Sequence, residues 1–235
     1  MDSLESGIEK LLNLPTSDIL DKETLIDIIG NIGLFHDTRH YPGDNKFLYG
    51  DDSKYMVPSY NTGKGLYQTP IQFAEYLIYL SQKQVKSYLD IGTLSGWNPT
   101  VVAAFLKRFG LEYLHTFDVT AYVSPNLSAL WKKYDLPIEY HVGIDSDKQT
   151  LATNTYDVIF IDGDHSYHAV KADYETFKNS SRITVFHDIN DIWCDGVVQF
   201  WNEIKEFTQG SANLYEFKDH PNGYRLMGIG AVEKL

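Results

Sequence analysis

Ser87-Tyr-Leu-Asp-Ile-Gly-Thr-Leu-Ser-Gly-Trp97, followed by Asn98-Pro99 and an apolar run to Phe109, is the stretch on which the fold turns. Tyr88, Leu89 and Ile91 read as the end of a buried strand. Asn98 is suited to cap the next helix, with Pro99 at its first position, where a missing N–H costs nothing. From Val101 to Phe109 the apolar residues recur at helical spacing. Gly92 and Gly96 allow the backbone to approach a ligand where a Cβ would clash. The helix start adds unpaired N–H groups and a partial positive charge. Strand, glycine loop and helix start together read as a cradle for a nucleotide-type ligand.

The glycine spacing, Asp90-x-Gly92-x-x-x-Gly96, is neither the G-x-G-x-x-G of dinucleotide enzymes nor a P-loop. A carboxylate in the loop repels phosphate and suits a cationic group such as the amino group of a methionine moiety. Taken alone, the pattern also fits an ordinary turn. Three further segments bear on the choice. His115-Thr-Phe-Asp118-Val119 is a strand ending in an acid, where α/β folds bind ribose hydroxyls. Tyr156-Asp-Val-Ile-Phe-Ile-Asp162-Gly-Asp164-His165-Ser-Tyr167 holds an uninterrupted apolar run, as in a strand buried on both faces, and ends in two carboxylates and an imidazole. Ile183-Thr-Val-Phe-His187-Asp188-Ile189 is a fourth such strand, ending in a His-Asp pair.

With Gln68-Thr-Pro70, Gly196-Val-Val-Gln-Phe-Trp201 and Met227-Gly-Ile-Gly-Ala-Val232 added, the chain from about Gln68 onward resembles the class I S-adenosylmethionine-dependent methyltransferases. It is similar to the branch with Ile-Asp-Gly-Asp-His-Ser-Tyr and Phe-His-Asp-Ile motifs, which includes metal-dependent sugar O-methyltransferases. The resemblance implies an α/β fold: a doubly wound, mostly parallel seven-stranded Rossmann-like sheet with helices on both faces and an antiparallel edge. It places S-adenosylmethionine against Gln68 (or Tyr67), Asp90, Gly92, Thr93, Gly96, Asp118, Asp145 and Asp162. Within this implied site, Asp90 takes the amino-acid end and Asp118 the ribose. Asp145, in the Gly143-Ile-Asp145-Ser146 turn, takes the adenine, although it also fits a plain turn residue. A divalent metal, magnesium or manganese, falls on Asp162, His187 and Asp188, and His165 becomes the base that acts with Asp162. An acid is usual where this chain has His187, and that departure leaves metal binding open.

The chemistry agrees. A sugar hydroxyl is a very weak acid, so methylating it needs a placed base or a cation that lowers its pKa. Asp162, Asp164 and Asp188 are hard oxygen ligands, and His165 and His187 are able to take a proton near neutral pH. In the competing view Asp162-Gly-Asp164 is a turn bonded to its own backbone, and His187 is structural. Two other functions stay open: a metal-independent methyltransferase for a phenolic or nitrogen acceptor, and a non-catalytic cofactor-binding scaffold. Nicotinamide chemistry is disfavoured by the glycine spacing.

The 20 basic and 32 acidic residues give a formal charge of −12, which argues against a nucleic-acid partner. The expected partner is a small-molecule or glycan acceptor, and the relatives of this branch raise the prospect of a homo-oligomer. No apolar run is long enough to span a membrane, and Met1-Asp-Ser-Leu-Glu5 lacks a secretory start, so a cytoplasmic setting is expected. The single Cys194 excludes an intrachain disulfide framework and, beside Trp193, reads as a packing residue.

The expected organisation is an N-terminal helical extension over residues 1–66 and a methyltransferase domain over 67–235. Leu4 to Leu12 and Lys22 to Ile32 read as amphipathic helices separated by a Pro15-Thr-Ser-Asp turn, and Thr69 to Leu80 as a helix starting at Pro70. Residues 36–64, rich in Tyr41, Phe47, Tyr49, Tyr55 and Tyr60, read as an acceptor lid, or else as a surface or oligomer contact. Asn213 to Phe217 and Leu226 to Val232 read as two closing strands.

Overall fold

A computed structural model describes residues 2–36, 56–58, 65–144, 147–220, 223 and 225–235. Most of the expected lid segment 36–64 lies outside the described residues, as do Asp145 and Ser146. The helices α1 (Asp2–Asn13), α2 (Thr16–Ile19) and α3 (Lys22–Ile32) come first, and the expected Pro15 turn is itself the short α2. Strands β1 (Leu34–His36) and β2 (Met56–Pro58) pair in parallel as a small separate sheet.

The main unit alternates strands and helices. They run α4 (Pro70–Ser81), β3 (Ser87–Ile91), α5 (Trp97–Leu106), β4 (Tyr113–Asp118), α6 (Pro125–Lys133), β5 (Ile138–Val142), α7 (Lys148–Leu151), β6 (Tyr156–Ile161), α8 (Tyr167–Phe177), β7 (Ser181–His187), α9 (Asp195–Phe207), β8 (Ala212–Phe217) and β9 (Ile229–Lys234). The seven strands lie in the order β5-β4-β3-β6-β7-β9-β8. Strands β3 to β7 pair in parallel, and β9 runs antiparallel to both β7 and β8. This is the doubly wound sheet the sequence leads one to expect. The chain moves outward in opposite directions from β3 and β6, so the crevice above those two strands is the topological switch point where such sheets bind ligands.

Two apolar layers sandwich the sheet. Tyr88, Leu114, Val158, Phe160, Ile183 and Val185 pack with α1, α3, α4 and α5 in one cluster. Leu89, Ile91, Phe117, Ile159, Ile161 and Phe186 pack with α8 and α9 in the other. The N-terminal helices belong to this core: Leu4, Ile8, Leu11, Leu25, Ile29 and Ile32 have no exposed surface. Burying each such side chain contributes about 1.5–3 kcal/mol.

Two of the boundaries that differ from expectation have a visible cause. Helix α5 begins at Trp97 with Gly96 as its cap residue, so Asn98 does not cap it and Pro99 sits at its third position. The Asn98 side chain instead turns inward, its Nδ2 donating to Asp90 Oδ1 at 3.4 Å. Strand β9 begins at Ile229 rather than Leu226. Side chains from elsewhere claim the backbone just before it: Met227 N donates to Asp191 Oδ2 at 2.8 Å, Gly228 N to Gln72 Oε1 at 3.0 Å, and Leu226 O accepts from Gln72 Nε2 at 3.2 Å.

Candidate active site

The loops after β3, β4, β6 and β7 open into one cavity of about 880 Å³. Its walls include Gly92, Leu94, Asp118, Val119 and Tyr122 on one side, and Asp162, Gly163, Asp164, His165 and Asp188 on the other. Tyr67 closes it from the approach to α4, and Lys148 and Asp173 line it as well. Residues up to 97 positions apart, Ile91 and Asp188, thus meet because parallel strands deliver their C-terminal ends to one edge.

At the switch point the backbones nearly touch. Gly92 has φ +103°, and a Cβ there would lie 1.9 Å from the carbonyl oxygen of Asp162. Asp162 N donates to Ile91 O at 2.8 Å, and Gly92 N to Phe117 O at 2.9 Å, which pins three strand ends together. Asp118 is built into the loop wall: Oδ2 accepts from Leu94 N at 2.7 Å and Oδ1 from Thr120 N at 3.0 Å. Each carboxylate oxygen has a second lone pair, so hydroxyl donors in the cavity still find an acceptor.

Four other residues expected at the cofactor sit elsewhere. Asp90 has no exposed surface and is not on the cavity wall. Strand alternation is the reason: Leu89 and Ile91 face the α8–α9 layer, so Tyr88 and Asp90 face the opposite one. There Asp90 Oδ2 accepts from Thr116 Oγ1 at 2.6 Å. The Thr116 hydroxyl in turn shares a 2.6 Å hydrogen bond with Thr93, whose side chain is likewise buried. Gly96 serves packing, since a Cβ there would meet Leu127 at 2.8 Å. Gln68 is buried, with Oε1 lacking a hydrogen-bond partner among the described residues, while its neighbour Tyr67 reaches the cavity.

Burial drives the Asp90 carboxyl up to about 8, with Asp162 and Asp118 adding to the rise and Thr116 and Asn98 opposing it. An unfolded chain releases that proton near 3.8, so stability falls as pH rises from there through about 8. Asp90→Asn is therefore expected to fold at pH 6 and to lose less stability than the parent between pH 6 and 9. Thermal unfolding of both proteins at the two pH values tests this, and identical pH dependence would place the buried charge elsewhere.

The other wall is a compact acid–imidazole cluster. His187 Nδ1 lies 3.1 Å from Asp162 Oδ1 and 3.2 Å from Asp188 Oδ1. His165 Nε2 lies 3.2 Å from Asp188 Oδ2 and 3.5 Å from Asp162 Oδ1. Burial pushes Asp162 up, but His187 and His165 outweigh it and hold the carboxyl below the usual carboxylate range. The hydrogen bond to Asp162 leads the rise of His165, against burial. Burial lowers His187, and the two carboxylates more than reverse that. His187 is buried and its Nε2 has no hydrogen-bond partner among the described residues, whereas the His165 side chain is 43% exposed. Asp188 takes φ +62°, a backbone region that is costly outside glycine and concentrated at functional sites.

Asp164 stands apart from this cluster. Its Oδ1 accepts from Ser166 N at 2.8 Å, the local turn that sequence reasoning held as its alternative. Sequence reasoning missed the place of Cys194: its Sγ is 3.4 Å from Asp188 Oδ2 and 3.5 Å from His165 Nδ1. Burial pushes this thiol far up, so it supports the cluster as a neutral group. No spacing rule links position 194 to 165 and 188, so no sequence signal pointed there.

Residues 89–189, less than half of the chain, match the family model of a methyltransferase domain. No curated protein sequence matches the chain significantly. Among solved structures it is similar to the O-methyltransferase TomG of Streptomyces achromogenes, involved in tomaymycin synthesis and solved with SAM. That pair shares 16% identity over 75% of this chain and 85% of TomG, with a TM-score of 0.56. An O-methyltransferase of Bacillus cereus, solved with SAH, gives 15% identity, coverage of 98% and 96%, and a TM-score of 0.54. An rRNA methylase of Streptococcus thermophilus gives 13%, 73% and 99%, and 0.55. At such identities the likeness establishes the methyltransferase fold. Because the fold is shared with an rRNA methylase, it does not select the acceptor.

Proposed function

We propose that this protein is an S-adenosylmethionine-dependent O-methyltransferase acting on a hydroxyl of a sugar or another small polyhydroxylated molecule. The observation that carries the reading is the single cavity at the switch point. It joins a ribose-type acid, Asp118, to an acid–imidazole cluster suited to proton removal, Asp162, His165 and Asp188. The −12 formal charge weighs against an RNA acceptor. Tyr67 and Tyr122, both exposed on the wall, offer ring faces and hydroxyl edges to a sugar or a phenol.

A divalent cation fits the residues present. Asp162, His187 and Asp188 each offer a ligand atom, and these atoms lie within 4.8 Å of one another. One imidazole among two carboxylates favours manganese or another transition ion over magnesium. Such an ion lowers the pKa of an acceptor hydroxyl. The chain's own contribution is to orient the acceptor against the tyrosines and to take up its proton within the Asp162–His165–Asp188 cluster.

A second reading rests on one contact. His187 Nδ1 lies between Asp162 and Asp188, so a charged imidazole there balances both carboxylates without an ion. Turnover that persists in a chelator selects this metal-independent reading, and loss restored by manganese selects the metal.

The cofactor assignment is tested by calorimetric titration of the metal-stripped protein with S-adenosylhomocysteine, with and without manganese. Binding is expected, and Asp118→Ala is expected to weaken it by about 10–100-fold, the worth of one charge-assisted hydrogen bond. No binding in either state would reduce the chain to a scaffold that keeps the fold.

A further inference from the structure

A second cluster of metal-ligating side chains lies away from the cavity, toward the edge of the sheet. Strand β5 is the edge strand, paired in parallel with β4 so that Glu139 stands opposite His115 and His141 opposite Phe117. Residues two apart on a strand share a face. This register therefore puts His115, Glu139 and His141 on one side of the sheet, where each offers a ligand atom within 4.8 Å of the other two. His115 Nε2 lies 3.7 Å from Glu139 Oε2, and His141 Nε2 lies 3.5 Å from Glu139 Oε1. The imidazole rings meet edge to face at 5.1 Å.

We infer that His115, Glu139 and His141 form a zinc-type divalent metal site that clips the edge strand β5 to β4. Ligand atoms around a tetrahedral zinc stand about 3.3–3.6 Å apart, given bonds of about 2.0–2.2 Å. The observed separations approach that spacing. Two imidazoles and one carboxylate are the donor types zinc takes, whereas magnesium and calcium prefer all-oxygen sets.

Two details point the nitrogens at an ion. His115 Nδ1 lies 2.9 Å from the Tyr156 hydroxyl. When Nδ1–H donates there, the tautomer is set and Nε2 keeps its lone pair toward Glu139. Among the described residues His141 Nε2 is a buried atom with no hydrogen-bond partner, although its carboxylate neighbour is close. The Glu139 side chain is 67% exposed, so the fourth position opens to water.

The test uses the full-length, metal-stripped protein titrated with zinc against a chromophoric chelator, and separately with cobalt(II) followed by visible absorption. Asp162, His187 and Asp188 offer a competing site, so the comparison is made in both the parent and an Asp188→Asn background. In each background His141→Gln is expected to remove one zinc equivalent, or to weaken it at least about a hundredfold, and to remove a tetrahedral cobalt signature. Zinc is expected to raise the Tm of the Asp188→Asn protein but not that of the protein carrying both substitutions. Methyl transfer by the His141→Gln single variant should match the parent. If that variant folds poorly, Glu139→Gln, at the exposed carboxylate, makes the same test. Equal zinc stoichiometry and affinity with and without the substitution would overturn the inference.

Discussion

Replacing His165 with glutamine is expected to lower kcat by about 10²–10⁴-fold, the usual worth of a positioned general base. Cofactor affinity should remain essentially that of the parent. His165 Nε2 is held toward the cavity by Asp188 at 3.2 Å and Asp162 at 3.5 Å, and Cys194 Sγ approaches Nδ1 at 3.5 Å. Three neighbours thus fix the ring, while its partial exposure leaves it accessible to an acceptor. Glutamine preserves length and polarity but cannot take a proton. The split between kcat and KM carries the information. A fall in kcat at constant S-adenosylhomocysteine affinity is the signature of lost proton transfer. A raised KM with unchanged kcat would make His165 an acceptor contact and move the search for the base to another member of the cluster.

Gly92→Ala is the second large effect, and it acts through the backbone. A Cβ at this position would sit 1.9 Å from the carbonyl oxygen of Asp162, in a residue with φ +103°. Neither strain is removed by rotating a side chain, because both partners are main chain at the centre of the sheet. The strand end bearing Asp162 has to shift, and with it the carboxylate facing His165 and His187. Strain of this kind costs about 2–4 kcal/mol, or a Tm lower by about 5–15 °C in a chain of this size. Affinity for S-adenosylhomocysteine should collapse along with it. Thermal unfolding and calorimetry measure the two losses separately. Affinity close to the parent's in a destabilised variant would mean that the loop after β3 does not touch the cofactor.

The two expectations differ in how openly the sequence announced them. His165 stands four residues past the end of β6, next to residues that titrate, and the resemblance marks it directly. Gly92 is also plain in the sequence, but its reason is not. Sequence reasoning had the glycine clear space for a ligand, whereas the nearest obstacle is the backbone of a strand 70 residues away.

The sequence by itself determined the alternation of strands and helices through Asp188, and the acids and imidazoles at the strand ends. Those features are local: apolar runs, turn residues and the position of an acid relative to a strand end are all written within about ten residues. Tertiary structure alone decided which side chains share a space. Asp90 is the chain neighbour of Ile91 on the cavity wall yet faces the opposite layer, because side chains alternate across a strand. Gly96 and Thr93 pack against α6 and Thr116 rather than against the cavity. Cys194 reaches the acid–imidazole cluster from the start of α9. His115, Glu139 and His141 meet only through the pairing register of β4 with β5. Register and face are set by which strands pair and what they bury, and a one-residue slip in that pairing would reverse every one of these contacts.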